Sequence, residues 1–142
     1  MTSDDIRAAI AASPELQQLV PDTVALAAAL SAGRAKLVPT EAGKGDILGA
    51  LGFDVGNALC DMLDTVPQFR HAKHLLADGR MRVDLPLTLG VLQSLVGAEL
   101  ADGITFTQAH ATALQALALR PDPVSEFDVR RAIFADDGTL RV

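Results

Sequence analysis

Apolar side chains recur most regularly in DVGNALCDMLDTV, where Val55, Ala58, Leu59, Met62, Leu63 and Val66 fall at i, i+3, i+4, i+7, i+8 and i+11. That spacing lines one side of an α-helix and predicts a buried stripe. Asp61 and Asp64 then lie on the wet side, and Asp54 caps the start. The remaining elements read as shorter helices set off by clear punctuation. Ser3 can cap a first helix running to about Ala12, with Asp4 and Asp5 in its positive first turn. Ser13 caps a second, with Pro14 at the first helical position, where a missing N–H costs nothing. Asp22 or Thr23 opens a third, which stops at Gly33. RAKLVP follows as an extended segment, because Pro39 keeps Val38 out of the helical region.

Beyond the amphipathic stretch, residues 67–78 predict a helix ending at Gly79. RMRVDL alternates over too few positions for more than an edge strand or extended linker. Pro86 opens a helix through PLTLGVLQSLVGAEL, apolar nearly all round and therefore expected at the centre. Thr107 caps the next, with Phe106, Ala113, Leu114 and Leu117 inward and His110 on the apolar side. After the proline-stiffened PDP, Ser125 and Asp128 have capping-box spacing, and DDG turns the chain into an extended tail. The expectation is a mainly α fold, a compact bundle of about six to seven short helices with one or two short extended segments. Residues 1–120 are expected to form a helical core domain. Residues 121–142 form a C-terminal helix and tail docked on that core or on a partner.

Composition supports helices: 49% of the 142 residues are hydrophobic, and the 4% that are aromatic are all Phe. That is ample apolar surface to order a chain, and Ala and Leu lose little side-chain entropy in a helix. A net charge of −6 and a pI near 4.8 supply no basic footprint for nucleic acid. The local exception, RHAKHLLADGRMR, carries Arg70, Lys73, Arg80 and Arg82 but no aromatic to stack on a base. It suits a solvated face or an acidic protein partner. Cys60 is the single cysteine and reads as a small core residue. Asp4 and Asp5 stand where a secretory leader would be basic, and the apolar run 85–100 is broken by Pro86, Gln93 and Glu99. A cytosolic protein with no membrane partner is expected.

EAGKGDILGALG, residues 41–52, is the most enzyme-like stretch. A phosphate-binding loop needs Ser or Thr after Gly-Lys, but Gly45 stands there, and position 38 is Val where the loop's first glycine belongs. Gly43, Gly45 and Gly49 also miss the dinucleotide spacing by one residue. Gly43 and Gly45 are therefore expected to form a pliable hinge or contact loop, with Asp46 capping a short helix. His71, His74 and Asp78 can share a helix face, yet zinc needs three or four ligands and no further pattern supplies them. Asp136-Asp137-Gly138 lacks the other oxygens of a calcium loop and reads as a turn. No catalytic residue, cofactor or metal is expected.

Three segments carry a resemblance along nearly the whole chain: SPELQQLVPDTVALAAALSAGRAKLVPTEAGKGDIL, FRHAKHLLADGRMRVDLPLTLGVLQSL and ALALRPDPVSEFDVRRAIFADDGTL. With them the chain resembles a family of small Ala-rich helical proteins encoded among the tail and other structural genes of tailed bacteriophages and prophages. The resemblance implies a non-enzymatic virion structural or assembly protein, at the tail tip, baseplate or fibre attachment. Such a protein is made in the host bacterial cytoplasm and is oligomeric in the virion. It docks on other virion proteins, with no nucleic-acid or membrane partner. The alternative is a non-structural phage regulator that binds and inhibits a host protein. Phe127, Ile133, Phe134 and Leu140 are expected to anchor one interface, with Gly43 and Gly45 in a second contact segment. A C-terminal helix packed on its own core would use the same four apolar residues. Truncation after Asp122 is expected to leave the helical core folded.

Overall fold

The computed structural model describes all residues, Met1–Val142. In chain order the elements are α1 (Ser3–Ala12), α2 (Pro14–Leu19), α3 (Thr23–Ser31), β1 (Ala35–Leu37), β2 (Glu41–Ala42), α4 (Lys44–Leu51) and α5 (Phe53–Thr65). A short 3-10 turn at Pro67–Phe69 leads to α6 (Arg70–Ala77), β3 (Met81–Arg82) and α7 (Pro86–Ser94). The hairpin β4 (Glu99–Ala101) and β5 (Ile104–Thr105) precedes α8 (Gln108–Ala116), β6 (Leu119–Pro121) and α9 (Glu126–Ile133). Helices hold 58% of the residues and the strands pair only in twos, so the class is mainly α. Nine short helices stand where the sequence suggested six or seven.

The chain forms two compact units, one of residues 1–36 with 121–142 and one of residues 37–120. The expected boundary after residue 120 is one of two crossings. Residues 121–142 are not a separate appendage, because they complete a core with the first 36.

In the first unit, α1 begins one residue earlier than the serine cap suggested. Thr2 Oγ1 accepts the Asp5 N–H at 3.2 Å, and the Asp5 carboxylate accepts the Thr2 N–H at 2.8 Å. Ser13 accepts from the Leu16 N–H, and Asp22 accepts from those of Val24 and Ala25, so α2 and α3 start at their expected caps. α1 and α3 bury Ile6, Ile10, Leu26, Ala27 and Leu30 against Val124, Val129, Ala132 and Ile133. Polar bonds stitch the two stretches together. Arg7 donates to the Ala132 carbonyl at 3.2 Å, and the Val124 N–H donates to Ser31 Oγ at 2.9 Å. Arg34 holds Asp122 through its carboxylate at 2.6 Å, and the Asp122 N–H donates back to the Arg34 carbonyl at 3.1 Å.

In the second unit, α5 buries Ala58, Leu59 and Leu63 from the expected stripe, with Gly56 and Cys60 beside them. Its cap is Gly52, at φ 83°, and Asp54 sits in the first turn instead. Asp64 is drawn in from the wet side, accepting from Lys44 Nζ at 2.8 Å. α4 crosses α5 so closely that a Cβ at Gly56 would stand 2.8 Å from Leu48 Cδ2 and 3.0 Å from Leu48 Cα. β2 and β3 pair antiparallel, Glu41 with Arg82 and Ala42 with Met81. The unit's entering and leaving segments are joined by the Val38 N–H donating to the Ala118 carbonyl at 2.9 Å.

The helix expected at the centre is neither long nor central. α7 stops at Ser94 and buries only Leu92 among its residues. Beyond it the chain turns at Gly97, φ 89°, whose N–H donates to the Phe106 carbonyl at 2.7 Å. Asp102-Gly103 then closes the β4–β5 hairpin, with Gly103 at φ 76°. Glu99 and Leu100 therefore belong to a strand.

The α4–α5 crossing gives a direct test. Val at position 56 must push against the α4 backbone, and overpacking of this kind costs about 1–3 kcal/mol, more than the small gain in helix propensity returns. Gly56→Val should lower the urea midpoint of the second unit; an unchanged midpoint would show that the crossing is loose.

Candidate docking surfaces

The glycine segment is not a pliable loop. Gly43 is the N-cap of α4, and its N–H donates to the Asp46 carboxylate at 2.8 Å, so the helix starts before Asp46. A Cβ at Gly43 would lie 3.1 Å from Gly79 Cα, which makes this glycine a close backbone crossing. Gly45 lies inside α4 and faces open space. Lys44, where a phosphate-binding loop would present its lysine, is committed to Asp64, and that hydrogen bond raises its pKa.

The four C-terminal residues separate. Ile133 is fully buried in the first unit's core, so it cannot touch a partner. Phe134 is half-buried against the same core and bridges to Leu140. Phe127 and Leu140 are exposed, at 66% and 47%. The Arg131 guanidinium lies 5.7 Å from the Phe127 ring centroid, a cation–π distance. α9 presents Phe127 and Arg131 on a firm base, because Ser125 Oγ accepts the Asp128 N–H and fixes its first turn. Cutting after Asp122 would remove Val124, Val129, Ala132 and Ile133 from the core, so the truncation expected to leave the core folded would unfold the first unit.

The second unit holds an apolar groove of about 480 Å³. Leu63, Met81 and Leu92 form its floor, and Phe69, Leu75, Leu85, Leu87 and Val91 its walls. Leu87 is 81% exposed. His71 and Arg80 edge the groove, with Arg80 only loosely paired to Glu41 at 3.9 Å. One wall is held by a tight clip. Arg82 grips both oxygens of Asp84 at 2.6 Å, and Asp84 also accepts the Thr40 N–H at 3.0 Å. The Arg82 hydrogen bonds, then the Thr40 amide, hold the Asp84 carboxyl far below the usual carboxylate range.

The other candidates resolve into structural roles. Cys60 is buried, and desolvation pushes its thiol pKa up, away from nucleophilic character. His74 is exposed on α6. His110 completes the cap of α8, its Nδ1 accepting the Thr107 N–H at 3.0 Å while its ring lies 5.7 Å from that of Phe106. Asp137 accepts from the Thr139 N–H and hydroxyl, which makes the DDG turn. No group of three or more His, Cys, Asp or Glu side chains comes together as metal ligands, and no helix is long and apolar enough to cross a membrane. The groove went unseen in the sequence because Leu87 and Val91 were counted into a buried helix. The Asp102-Gly103 turn was the signal that the helix is short and peripheral.

No protein-family model, curated protein or solved structure matches the chain.

Two measurements check this geometry. Ile133→Ala should cost about 2–5 kcal/mol of first-unit stability, as buried truncations do, while Phe127→Ala should stay within about 0.5 kcal/mol; equal losses in urea melts would refute the division. For Asp84 the folded pKa is lowered, so its contribution is fully present above the unfolded value of about 4 and is lost as pH falls toward the folded one. The second unit should therefore weaken below about pH 4. Asp84→Asn should flatten that acid limb; an unchanged limb would mean the clip carries no linkage.

Proposed function

We propose that the protein is a non-enzymatic structural or assembly component of a tailed-bacteriophage particle, associated with the tail at its tip, baseplate or fibre attachment, and that it acts by docking on neighbouring virion proteins. The observation that carries the phage assignment is the sequence resemblance, strongest in ALALRPDPVSEFDVRRAIFADDGTL. The structure contributes a physical basis for docking within that same segment. Phe127 and Leu140 expose large apolar side chains on a helix and a turn that are already ordered by caps and a buried face. Ordered anchors lose little conformational freedom on binding, and aromatic and Arg side chains dominate interface energies. Phe127 with Arg131 stacked beside it is such an anchor. Ile133 and Phe134 serve this reading from beneath, by fixing α9 on its core.

Peptide mass spectrometry on purified particles, from the source phage or an induced lysogen, tests the reading. Stoichiometric peptides are expected, in a fixed ratio to the tail-tube protein. Clean absence would contradict it and favour the regulator that binds a host protein. Phe127→Asp, introduced in the phage, should leave a folded protein that is missing from the particles; normal incorporation would remove Phe127 from the interface.

A further inference from the structure

Most arginines of the chain already hold an acceptor. Arg7, Arg34 and Arg82 each grip a carboxylate, and Arg80 lies 3.9 Å from that of Glu41. Arg70 and Arg120 donate to main-chain carbonyls. The arginines that remain, Arg130, Arg131 and Arg141, enter no ion pair and donate through their guanidiniums to no protein oxygen. All of them line one cleft of about 350 Å³ in the first unit, beside Phe134 and Asp136. Arg130 and Arg131 arrive on the last turn of α9. Arg141 is returned to them by the turn that follows, where the Ala135 N–H donates to the Thr139 carbonyl at 2.8 Å and the Arg141 N–H to the Ile133 carbonyl at 2.6 Å. Service to the helix end does not account for these guanidiniums. Where an arginine does serve a helix end here, it bonds: Arg120 donates to the Leu117 and Leu119 carbonyls at 3.0 and 2.8 Å. The last carbonyls of α9 are taken by other donors, Arg130's by the Phe134 N–H, Ala132's by Arg7 and Ile133's by the Arg141 N–H.

The acids nearby do not cancel this charge. Residues 126–142 carry Glu126, Asp128, Asp136 and Asp137 against the three arginines, so the segment as a whole has no positive excess. Three of those carboxylates are engaged elsewhere: Glu126 accepts from the Thr23 hydroxyl, Asp128 from that of Ser125, and Asp137 from the Thr139 N–H and hydroxyl. Only Asp136 lines the cleft, which leaves a local surplus of two positive charges, and no histidine lines it. We propose that this cleft binds a small phosphate monoester, with Arg130, Arg131 and Arg141 holding the phosphoryl oxygens and Asp136 accepting from a hydroxyl on the ester's organic part. A guanidinium fork matches phosphate or carboxylate oxygens in pairs of N–H···O bonds. A carboxylate offers two oxygens, whereas a phosphate monoester offers three, one for each guanidinium, and its charge of nearly −2 at neutral pH matches the surplus. The cleft also has more room than a phosphate alone needs, since small-molecule sites begin at about 300 Å³. Arg131 is already braced, with its guanidinium 5.7 Å from the Phe127 ring centroid. The proposal does not rest on the phage assignment: binding is read on the isolated chain, whatever particle the protein enters.

Titration of the full chain with glycerol 3-phosphate, followed amide by amide in nitrogen-15 NMR spectra, tests the proposal. In about 0.1 M salt at about pH 7.5, the amides of residues 130–141 should shift saturably, with a Kd of about 1 mM or tighter. At about pH 5 the ester loses one of its charges, and binding should weaken several-fold while the cleft's own arginines stay charged. Arg130→Gln and Arg141→Gln should each weaken binding about tenfold, or about 1.4 kcal/mol, with helical circular dichroism unchanged because both side chains are on the surface. Arg141→Lys should recover little of that loss, since it restores the charge without the fork. Asp136→Asn should tighten binding, because it keeps an acceptor and removes the one negative charge in the cleft. Succinate should bind at least about tenfold more weakly than the ester. No saturable shift up to about 10 mM overturns the proposal, as do shifts centred outside residues 130–141. Binding that survives Arg141→Gln overturns it too, and succinate binding as tightly as the ester would make the cleft a carboxylate site instead.

Discussion

The burial of Val129, Ala132 and Ile133 against Ile6, Ile10 and Leu26 is the contact on which the first unit depends. α1 and α3 are ten and nine residues long, below the length at which isolated helices hold in water, so their order comes from packing. Most of that packing surface is supplied by the last helix of the chain. Because α9 arrives only after residues 37–120, the first unit cannot close until its two distant pieces meet. Loop closure grows only slowly with the length between them. The Val38–Ala118 hydrogen bond reduces it further, since the intervening residues fold with their own ends together.

The second unit is organised by close backbone approach more than by large side chains. Gly56 lets α4 lie on α5, and Gly43 lets the start of α4 pass Gly79. These crossings bring Ile47, Leu59, Leu63, Leu76, Phe106 and Leu114 into one core. With that core already filled from α4, α5, α6 and α8, α7 has little left to bury beyond Leu92, and its Leu87 faces outward on the wall of the groove. The exposed apolar surface thus follows from how the core is filled. The Arg82–Asp84–Thr40 clip keeps the wall beside it in place.

Four helix starts were legible because a cap is a local device, while Ser3, Asp46 and Asp54 proved to lie inside the first turns of helices capped by Thr2, Gly43 and Gly52. Ser13, Asp22, Thr107 and Ser125 each act within three residues of themselves, and all four sit where the sequence placed them. The role of a glycine was not legible. Gly43 looked like a flexible loop because Gly79, which it must pass, lies far along the chain. The region after Pro86 misled for a different reason. A continuous apolar run is compatible with a buried helix or with a short surface helix and a hairpin, and only the Gly97 and Asp102-Gly103 turns distinguish them. Among the C-terminal anchors the information was present but unused: Val129, Ala132 and Ile133 fall at i, i+3 and i+4, a core stripe that leaves Phe127 outside.

The central claim is that one chain carries two cores, the first built from both of its ends. Native-state hydrogen exchange followed amide by amide tests this most directly. Amides of α9 should share the opening free energy of those in α1 and α3, and should respond to denaturant with them. Amides of α4, α5 and α8 should form a second group with its own opening free energy. If α9 exchanges as a freely fraying tail while α1 and α3 stay protected, the first core does not depend on the last helix and the account is wrong.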